Sequence, residues 1–373
     1  MPPALETLWR LGLKELRSVR YDGVLILLIV YSFTYAVYMP AKNAPTGVKD
    51  AAIAVVDEDH SALSRRICSA FLPPYFQPPR ALELPDIEPA FNQSRFIFVV
   101  DLPPRLEADV LRGRTPTVQV LVDATAMTQA GLGAGYIEQI VNREVRTFLH
   151  LPDPAELAPV RLVTRAKFNP NLDAAPFSAV MQLVNNVTLL ALFLAGAALI
   201  REREHGTIEH LLAMPVTPNQ IMLSKIWASG AVILVCAAAS LFLVVEGALG
   251  LSVAGSVPLF FAGVALYAGS LMALGIFLGT VGRTMPQFSL IALPCFIIMN
   301  LLSGGQTPLE SMPLLLQRLM QLSPSTHFVA IAQALLYRGA GFGLVWREYA
   351  AMTAIGVAFF AASSWRFRRT LVA

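Results

Sequence analysis

The stretch REREHGTIEHLLAMPVTP, residues 201–218, opens with four consecutive charged side chains and lies between two long apolar runs. Charge directly beside a membrane-length apolar run marks the place where a chain leaves the bilayer. Gly206 is expected to end the preceding helix, and Thr207 to cap a short new helix that ends at Pro215. We therefore predict a short amphipathic helix at the membrane face, where it can contact something outside the membrane.

A long helix is predicted to begin just after this segment. Thr217 and Gln220 have the spacing of a capping box, and Pro218 occupies the first helical position, where a backbone N–H has no partner in any case. The order of helix break, short helix and new cap is more specific than a plain charged loop.

The composition indicates a polytopic membrane protein with one polar region. Hydrophobic residues make up 55% of the 373 residues and charged residues only 14%, whereas soluble domains carry about 25% charged residues. The net charge of +3 is too small to indicate nucleic-acid binding. The three cysteines, Cys68, Cys236 and Cys295, do not form a disulfide or metal-binding pattern.

Apolar runs predict six transmembrane helices. They cover residues 23–39, 177–200, 226–245, 257–281, 285–303 and 349–365. Residues 1–22 form a basic amphipathic helix, expected on the cytoplasmic surface. Gly275 and Gly279 have the small-xxx-small spacing that allows close helix packing.

Two apolar stretches between the fifth and sixth runs are too short to cross a bilayer. They span residues 311–322 and 326–337, and such lengths are typical of re-entrant or interfacial segments. We therefore predict a re-entrant helical hairpin within residues 304–340, which dips into the outer leaflet.

The polar region between the first two transmembrane helices is predicted to be a small α/β domain. Predicted strands and helices alternate along it. The strands cover residues 51–56, 95–101, 117–123 and 160–168, the helices 61–71, 103–112 and 128–149, and a loop 72–89. The chain thus divides into residues 1–39, the α/β domain at 40–172 and a transmembrane domain at 173–373.

Lysine and arginine bias gives the orientation. With the N-terminus inside, only Arg318, Arg338 and Arg347 fall in short outer loops. The cytoplasmic pieces then hold Arg10, Lys14, Arg17, Arg20, Arg201, Arg203, Lys225, Arg283, Arg366, Arg368 and Arg369. By the positive-inside rule, both termini and residues 201–218 are cytoplasmic, and the α/β domain lies outside.

The sequence points to an external source of energy for any active transport. The interiors of the six predicted transmembrane helices contain no Asp, Glu, Lys, Arg or His, although ion-coupled carriers usually place such groups there. The sequence also lacks the G-x-x-x-x-G-K-[ST] loop of P-loop ATPases. Energy would then have to arrive from another polypeptide, and the predicted helix at 207–213 is the best place for its arrival.

Polar residues inside the apolar runs allow two interpretations. Gln182, Asn185 and Asn186 in the second run, with Asn300 and Ser303 in the fifth, could line a translocation path or form hydrogen bonds between helices. The acidic turn at residues 57–61 could hold a metal or a Ser-His-Asp site. A strand-to-helix turn capped by Ser61 or Asp59 is favoured instead, and His150 and His327 are given structural roles.

Several motifs resemble those of ABC-2 type exporter permeases. They include KELR at 14–17, FNPNL at 168–172, EREHGTIEHLLAMP at 202–215, LSGGQTP at 302–308 and SPSTHF at 323–328. The resemblance covers essentially the whole chain, and is strongest to bacterial inner-membrane permeases with a large periplasmic domain. It implies a transport subunit rather than an enzyme.

The resemblance also implies partners and roles. Residues 206–215 would be the coupling helix that docks into a cytoplasmic ATP-binding subunit, so that no cofactor is bound by this chain itself. The implied coupling residues are Glu202, Glu204, Gly206, Thr207, Glu209, His210, Leu211, Leu212 and Pro215. A second permease half, from the same or a related chain, would pair with this one in the lipid bilayer. Members with this domain often work beside a membrane-fusion adaptor and an outer-membrane channel.

The sequence thus favours the permease subunit of an ATP-driven exporter of an amphiphilic or hydrophobic compound. One alternative is a non-transporting mechanotransmitter, in which the ATPase moves the outer domain. A sensor receptor that binds its ligand with the α/β domain is a third interpretation, weakened because no cytoplasmic output domain is present beyond short loops.

Overall fold

The computed structural model describes residues 3–44, 50–92, 95–123, 127–152, 174–206, 216–251 and 255–371. The chain forms two compact units. One contains Met1–Ala44 and Asp173–Ala373, and the other contains Pro45–Leu172.

Within the described residues, the first unit is a bundle with six helices that are long and apolar enough to cross a membrane. We call them spans 1 to 6, and they are Gly23–Lys42, Ala175–Glu204, Pro218–Ala248, Val257–Val281, Met285–Leu302 and Phe342–Arg369. The chain is therefore a polytopic helical membrane protein, as predicted.

Several predicted helix bounds are wrong at the polar ends. Span 2 continues past residue 200 to Glu204, and span 3 begins at Pro218 rather than at 226. The helix of span 6 runs over Phe342–Leu371. Apolar runs mark only the lipid-facing part of a helix, and here the flanking charged turns stay helical because their side chains find partners within the bundle.

Two spans are irregular. Span 1 consists of the helices Gly23–Phe33 and Tyr35–Lys42, interrupted at Thr34. Span 3 is α-helical over Pro218–Ala239 and π-helical over Ser240–Ala248. With these observed bounds, ionisable residues such as Lys225, Glu246 and Glu348 fall inside the helices, near their ends.

Spans 2 and 4 pack backbone against backbone. A Cβ atom on Gly275 would lie 2.2 Å from the Leu192 carbonyl oxygen, and one on Gly196 would lie 2.7 Å from the Gly275 carbonyl oxygen. Side chains cannot fit at these distances, so glycine is required at both crossings. The predicted close packing at Gly275 is confirmed, and Gly196 is its unpredicted counterpart.

Two short helices, Leu314–Met320 and Pro324–Leu336, overlap the two apolar stretches for which a hairpin is predicted. Phe328 of the second helix is fully buried, and its ring stacks on Tyr267 of span 4 at 4.4 Å between centroids. The neighbouring His327 contacts Glu348 of span 6 through Nδ1 at 2.5 Å and the Gln321 carbonyl oxygen through Nε2 at 2.8 Å. How deeply this hairpin enters a bilayer stays a prediction.

The second unit contains a four-stranded sheet. Its strands are β1 Ile53–Asp57, β2 Arg80–Ala81, β3 Phe98–Leu102 and β4 Gln119–Val122, in the order β2-β1-β3-β4. β1 pairs in parallel with β2 and β3, and β3 pairs antiparallel with β4. The helices are Ala62–Ala70, Ile87–Asn92, Leu106–Leu111 and Met127–Phe148.

The predicted elements of this unit overlap the observed ones for β1, β3 and β4. The short strand β2 and the helix Ile87–Asn92 were not predicted, because residues 72–89 were predicted to form a loop. The strand predicted at 160–168 lies outside the described residues.

The acidic turn after β1 caps helices. Ser61 is the N-cap of Ala62–Ala70, and its Oγ accepts a hydrogen bond from the Ser64 N–H at 3.0 Å. Asp59 accepts one from the Glu107 N–H at 3.0 Å. Burial raises the pKa of Asp59, but hydrogen bonds from Ser61 and from the backbone N–H groups of Glu107 and its neighbours outweigh that effect, so this pKa is lowered overall.

Candidate functional site at the charged end of span 2

The helix of span 2 stops where the sequence predicts. His205 is its C-cap, and Gly206 follows with φ +68°, a left-handed conformation that favours glycine. Span 3 begins with the predicted capping box, in which the Gln220 Oε1 accepts from the Thr217 N–H at 2.8 Å and the Thr217 Oγ1 accepts from the Gln220 N–H. Both boundaries of the predicted coupling segment are thus built as expected.

The coupling helix itself falls outside the described residues. Six of the predicted coupling residues lie there, namely Thr207, Glu209, His210, Leu211, Leu212 and Pro215. Glu202, Glu204 and Gly206 are described, and they lie at its base.

Four consecutive charged residues end span 2, and they face four different neighbours. Successive residues of an α-helix are rotated by about 100°, so four of them point in all directions around the axis. We call residues 201–206 and the side chains and backbone groups bonded to them the charged end.

Arg201 joins span 2 to the start of span 1. Its Nη1 lies 2.9 Å from the Asp22 Oδ2. The other carboxylate oxygen of Asp22 accepts from the Leu25 N–H at 3.0 Å and thereby caps the first helix of span 1. The Asp22 carboxylate therefore both caps the first helix of span 1 and holds span 2 beside it.

Arg203 and Glu204 reach the turn between spans 4 and 5. The Arg203 guanidinium donates to the Gly282 carbonyl oxygen at 3.4 Å. The Glu204 Oε1 accepts from the Met285 N–H at 2.8 Å, at the first residue of span 5. Glu204 thereby satisfies a backbone donor that a helix start leaves without a helical partner.

Glu202 belongs to a buried ion cluster. The Lys225 Nζ of span 3 lies 2.8 Å from the Glu202 Oε2 and 2.9 Å from the Glu15 Oε1 of the N-terminal helix Pro3–Tyr21. The Lys225 side chain is 2% exposed, the Glu202 side chain 13% and the Glu15 side chain 18%. Lys14, largely exposed, lies 3.8 Å from the other Glu202 oxygen. We call these four residues the ion cluster.

Aromatic packing beside the ion cluster fixes the N-terminal helix. Trp9 stacks on Trp227 of span 3 with ring centroids 4.9 Å apart and an interplanar angle of 4°. The Trp227 Nε1–H donates to the Leu8 carbonyl oxygen at 3.2 Å. A Cβ atom on Gly12 would lie 2.1 Å from the Trp227 ring, so only glycine admits this approach. The N-terminal helix thus packs on span 3 through this face.

Span 6 is bonded to the first turn of span 3. The Ser364 Oγ donates to the Asn219 Oδ1 of span 3 at 2.5 Å. The described polar contacts at this end of the bundle therefore join spans 2, 3, 5 and 6 to one another and to Asp22 and Gly282, which flank spans 1 and 4.

Sequence reasoning missed the partners of the charged end. Lys225 was counted only as one of the cytoplasmic charges, although it lies on a buried helix face, and Glu15 was given no role of its own. Lys225 shares its face with Ile221, Met222 and Ala228, all buried. A charged side chain at a helical spacing of buried residues is the signal that could have identified it.

The residues of the predicted translocation path fall into two groups. In span 2, the buried Asn186 donates to the Ser32 carbonyl oxygen of span 1 and accepts from the Gln182 Nε2 at 3.2 Å. Asn185 is half-buried on the adjacent face. Asn186 therefore makes the hydrogen bond between helices that was one of the two interpretations.

The second group lies at the far end of span 5. The Asn300 Oδ1 accepts from the Gln306 Nε2 at 2.7 Å, and the Ser303 Oγ accepts from the Gly305 N–H at 3.4 Å. A Cβ atom on Gly305 would lie 2.9 Å from the Met181 Sδ of span 2. This group thus reaches span 2 at Met181, next to Gln182.

A family profile and the sequences of known proteins both match this chain, and they indicate the same family. The profile described as ABC-2 family transporter protein matches residues 23–365. The chain is 48% identical over 367 residues to the inner membrane transport permease YhhJ of Escherichia coli K12, covering 98% of each. It is 27% identical over 369 residues to the probable multidrug ABC transporter permease YbhR of the same organism, covering 98% of this chain and 99% of the relative.

Proposed function

We propose, since the chain belongs to the ABC-2 family of transporter proteins, that it is the permease subunit of an ATP-driven exporter. It moves an amphiphilic or hydrophobic compound out of the cytoplasm or the inner membrane. The family implies an ATP-binding partner subunit, and the sequence lacks a P-loop of its own. ATP hydrolysis is therefore assigned to a separate cytoplasmic subunit.

The observation that carries this proposal is the construction of the charged end. Gly206 ends span 2 and the Thr217–Gln220 capping box starts span 3. The residues that flank this segment bond to spans 3, 5 and 6 and to the residues beside spans 1 and 4. A force that a partner applied to the segment would be passed on through these contacts, which is what a coupling segment must achieve.

The proposed location is the bacterial inner membrane, with both termini in the cytoplasm. The relative YhhJ is an inner membrane permease by name. The lysine and arginine bias places the charged end inside, and hence the α/β unit in the periplasm. The adaptor and outer-membrane channel implied by the resemblance are proposed partners of that side.

The proposed second permease half packs against span 5. Leu290, Leu293 and Ile298 are among its exposed side chains, with Leu290 75% exposed. The path between the halves would be lined by Gln182, Asn185, Asn300 and Ser303. The word multidrug in the name of the relative YbhR supports a hydrophobic cargo.

Copurification tests the proposed docking. We expect Glu209→Arg and Gly206→Leu to reduce copurification of the ATP-binding subunit with the tagged full-length chain about tenfold or more. The first reverses a charge on the docking segment, and the second forces a side chain into a left-handed conformation, which glycine tolerates best. Glu310→Arg, at an exposed carboxylate outside the charged end, is the matched control and should copurify normally.

Efflux of the dye Hoechst 33342 from cells tests the transport step. Cells that express both subunits should retain less dye than cells whose docking variant cannot bind the ATPase. Normal copurification and normal dye efflux by both docking variants would exclude this coupling assignment.

The mechanotransmitter remains the second candidate, because the polar residues of spans 2 and 5 do not form one continuous cluster. Asn186 is bonded to span 1 and Asn300 to Gln306. Asn185→Leu and Asn300→Leu discriminate the two functions. Loss of dye efflux by the double variant, with intact binding of the ATP-binding subunit, supports a translocation path lined by these residues. Unchanged dye efflux by the double variant favours the mechanotransmitter.

A further inference from the structure

We infer that Lys225 is a positioning residue that makes the N-terminal helix, span 2 and span 3 move together when the partner ATPase acts. This inference rests on the proposed function, and it assigns the ion cluster a role in coupling. The residue touches neither ATP nor cargo, so it acts through the segment that it holds.

The chemistry of the ion cluster indicates a specific connection. A lysine ammonium buried to 2% exposure needs full compensation, and two carboxylate oxygens at 2.8 and 2.9 Å provide it. Two carboxylates around one ammonium leave an excess negative charge, which the more distant Lys14 offsets at 3.8 Å. Each charge depends on the others, and thus moving one helix away would leave a buried charge without its partner.

The position of the cluster relates it to the docking segment. Glu202 precedes Gly206 by one helical turn, and Lys225 follows the cap at Thr217 by about two turns. The Glu202–Lys225 pair therefore closes the base of the 207–215 segment. A displacement of that segment is transferred to spans 2 and 3 as a pair rather than to one of them.

Glu15 extends this unit to the N-terminal helix. The Glu15 carboxylate accepts a hydrogen bond from Lys225. Trp227 lies two residues after Lys225 in span 3, and its ring stacks on Trp9 of the N-terminal helix. The helix is thus held to span 3 by a charge and by an aromatic contact side by side. Movement of span 3 would carry the N-terminal helix with it.

Lys225 could instead only stabilise the fold, and an experiment can separate that role from a role in coupling. Removal of Lys225 alone leaves two buried carboxylates unpaired, which destabilises any fold. Replacing all three residues by methionine, an apolar side chain of similar length, removes the charges together, and such replacements are often harmless to stability. The triple variant Lys225→Met, Glu202→Met, Glu15→Met is therefore expected to keep the fold and to lose only the ionic connection.

The experiment uses the full-length chain copurified with its ATP-binding subunit and reconstituted in liposomes of Escherichia coli polar lipids. Two quantities are measured, namely the amount of bound ATP-binding subunit and the ATP hydrolysis rate relative to that of the subunit alone. Arg283→Met, at an exposed cation in the turn between spans 4 and 5, is the matched control.

We expect the triple variant to lose about tenfold in stimulated ATP hydrolysis per bound ATP-binding subunit, so that a change in the amount bound does not enter the comparison. The Arg283→Met control should keep both quantities. Normal binding and normal stimulation in the triple variant would overturn the role of Lys225 and leave the proposed function intact. Failure of the unmodified chain to bind any ATP-binding subunit would overturn the proposed function, and this inference with it.

Discussion

The two ends of the bundle are held together by different interactions. At the charged end, side chains of span 2 bond to Asp22 just before span 1, to Lys225 of span 3, to Gly282 just after span 4 and to Met285 of span 5. At the hairpin end, the rings of Phe260, Phe328 and Tyr267 stack in a fully buried group. Ion pairs are directional and can exchange partners, whereas packed rings resist small displacements. If a partner acts at the charged end, as proposed, we therefore expect the hairpin end to move less than the charged end.

The largest effect is expected from Lys225→Met, which removes the only cation in direct contact with both Glu202 and Glu15 in the described part of the chain. Breaking a buried ion pair from one side costs about 3–5 kcal/mol. A denaturant titration in detergent should show this loss, and the triple neutral variant should recover most of it. A loss below about 1 kcal/mol for Lys225→Met would show that the ion cluster does not hold this end.

Phe328→Ala tests the hairpin end. The substitution empties a fully buried site between Tyr267 and Phe260, and a core Phe→Ala change costs about 3 kcal/mol or more. The same titration measures it, with Phe342→Ala, at a 59% exposed ring, as the control. Equal losses for both phenylalanines would contradict the view that the ring stack fixes this end.

Gly12→Ala sharpens the description of the charged end. The added Cβ would overlap the Trp227 ring and push the N-terminal helix away, at a cost of about 1–3 kcal/mol. Gly23→Ala meets nothing within 4 Å and is the control. Faster hydrogen exchange of residues 3–21 in Gly12→Ala alone is expected, and equal exchange in both variants would argue against docking of this helix.

The smallest effect is expected from His327→Gln, at the histidine–carboxylate pair of the hairpin end. A glutamine side chain can keep one of the two hydrogen bonds to Glu348 and Gln321, so the loss is about 1 kcal/mol. His150→Gln in the α/β unit is the control. A loss as large as that of Lys225→Met would make the two ends alike and remove the contrast.

Local features of the charged end could be predicted from sequence, and long-range ones could not. Gly206 and the Thr217–Gln220 capping box are recognisable because a helix end depends on neighbours within one turn. The Lys225–Glu15 pair joins positions 210 residues apart, and nothing in either local sequence specifies the partner. The same limit applies to the hydrogen bond from Asn186 to Ser32, which joins positions 154 residues apart.

The α/β unit shows a second reason for missed elements. Strand β2 has only two residues, Arg80–Ala81, and is defined by its pairing with Ala54 and Val55. A strand of that length has no periodicity to detect. The longer strands β1, β3 and β4 carry enough apolar residues to be predicted.

Photocrosslinking tests the central claim most directly, because it compares the two ends in the same complex. A p-benzoylphenylalanine is placed at His210 in one variant and at Gln306, near the hairpin end, in another, and each is irradiated with the ATP-binding subunit present. The account predicts an adduct with the mass of both subunits at residue 210 and none at residue 306. An adduct at residue 306, or none at residue 210 in a complex that still copurifies, would contradict it.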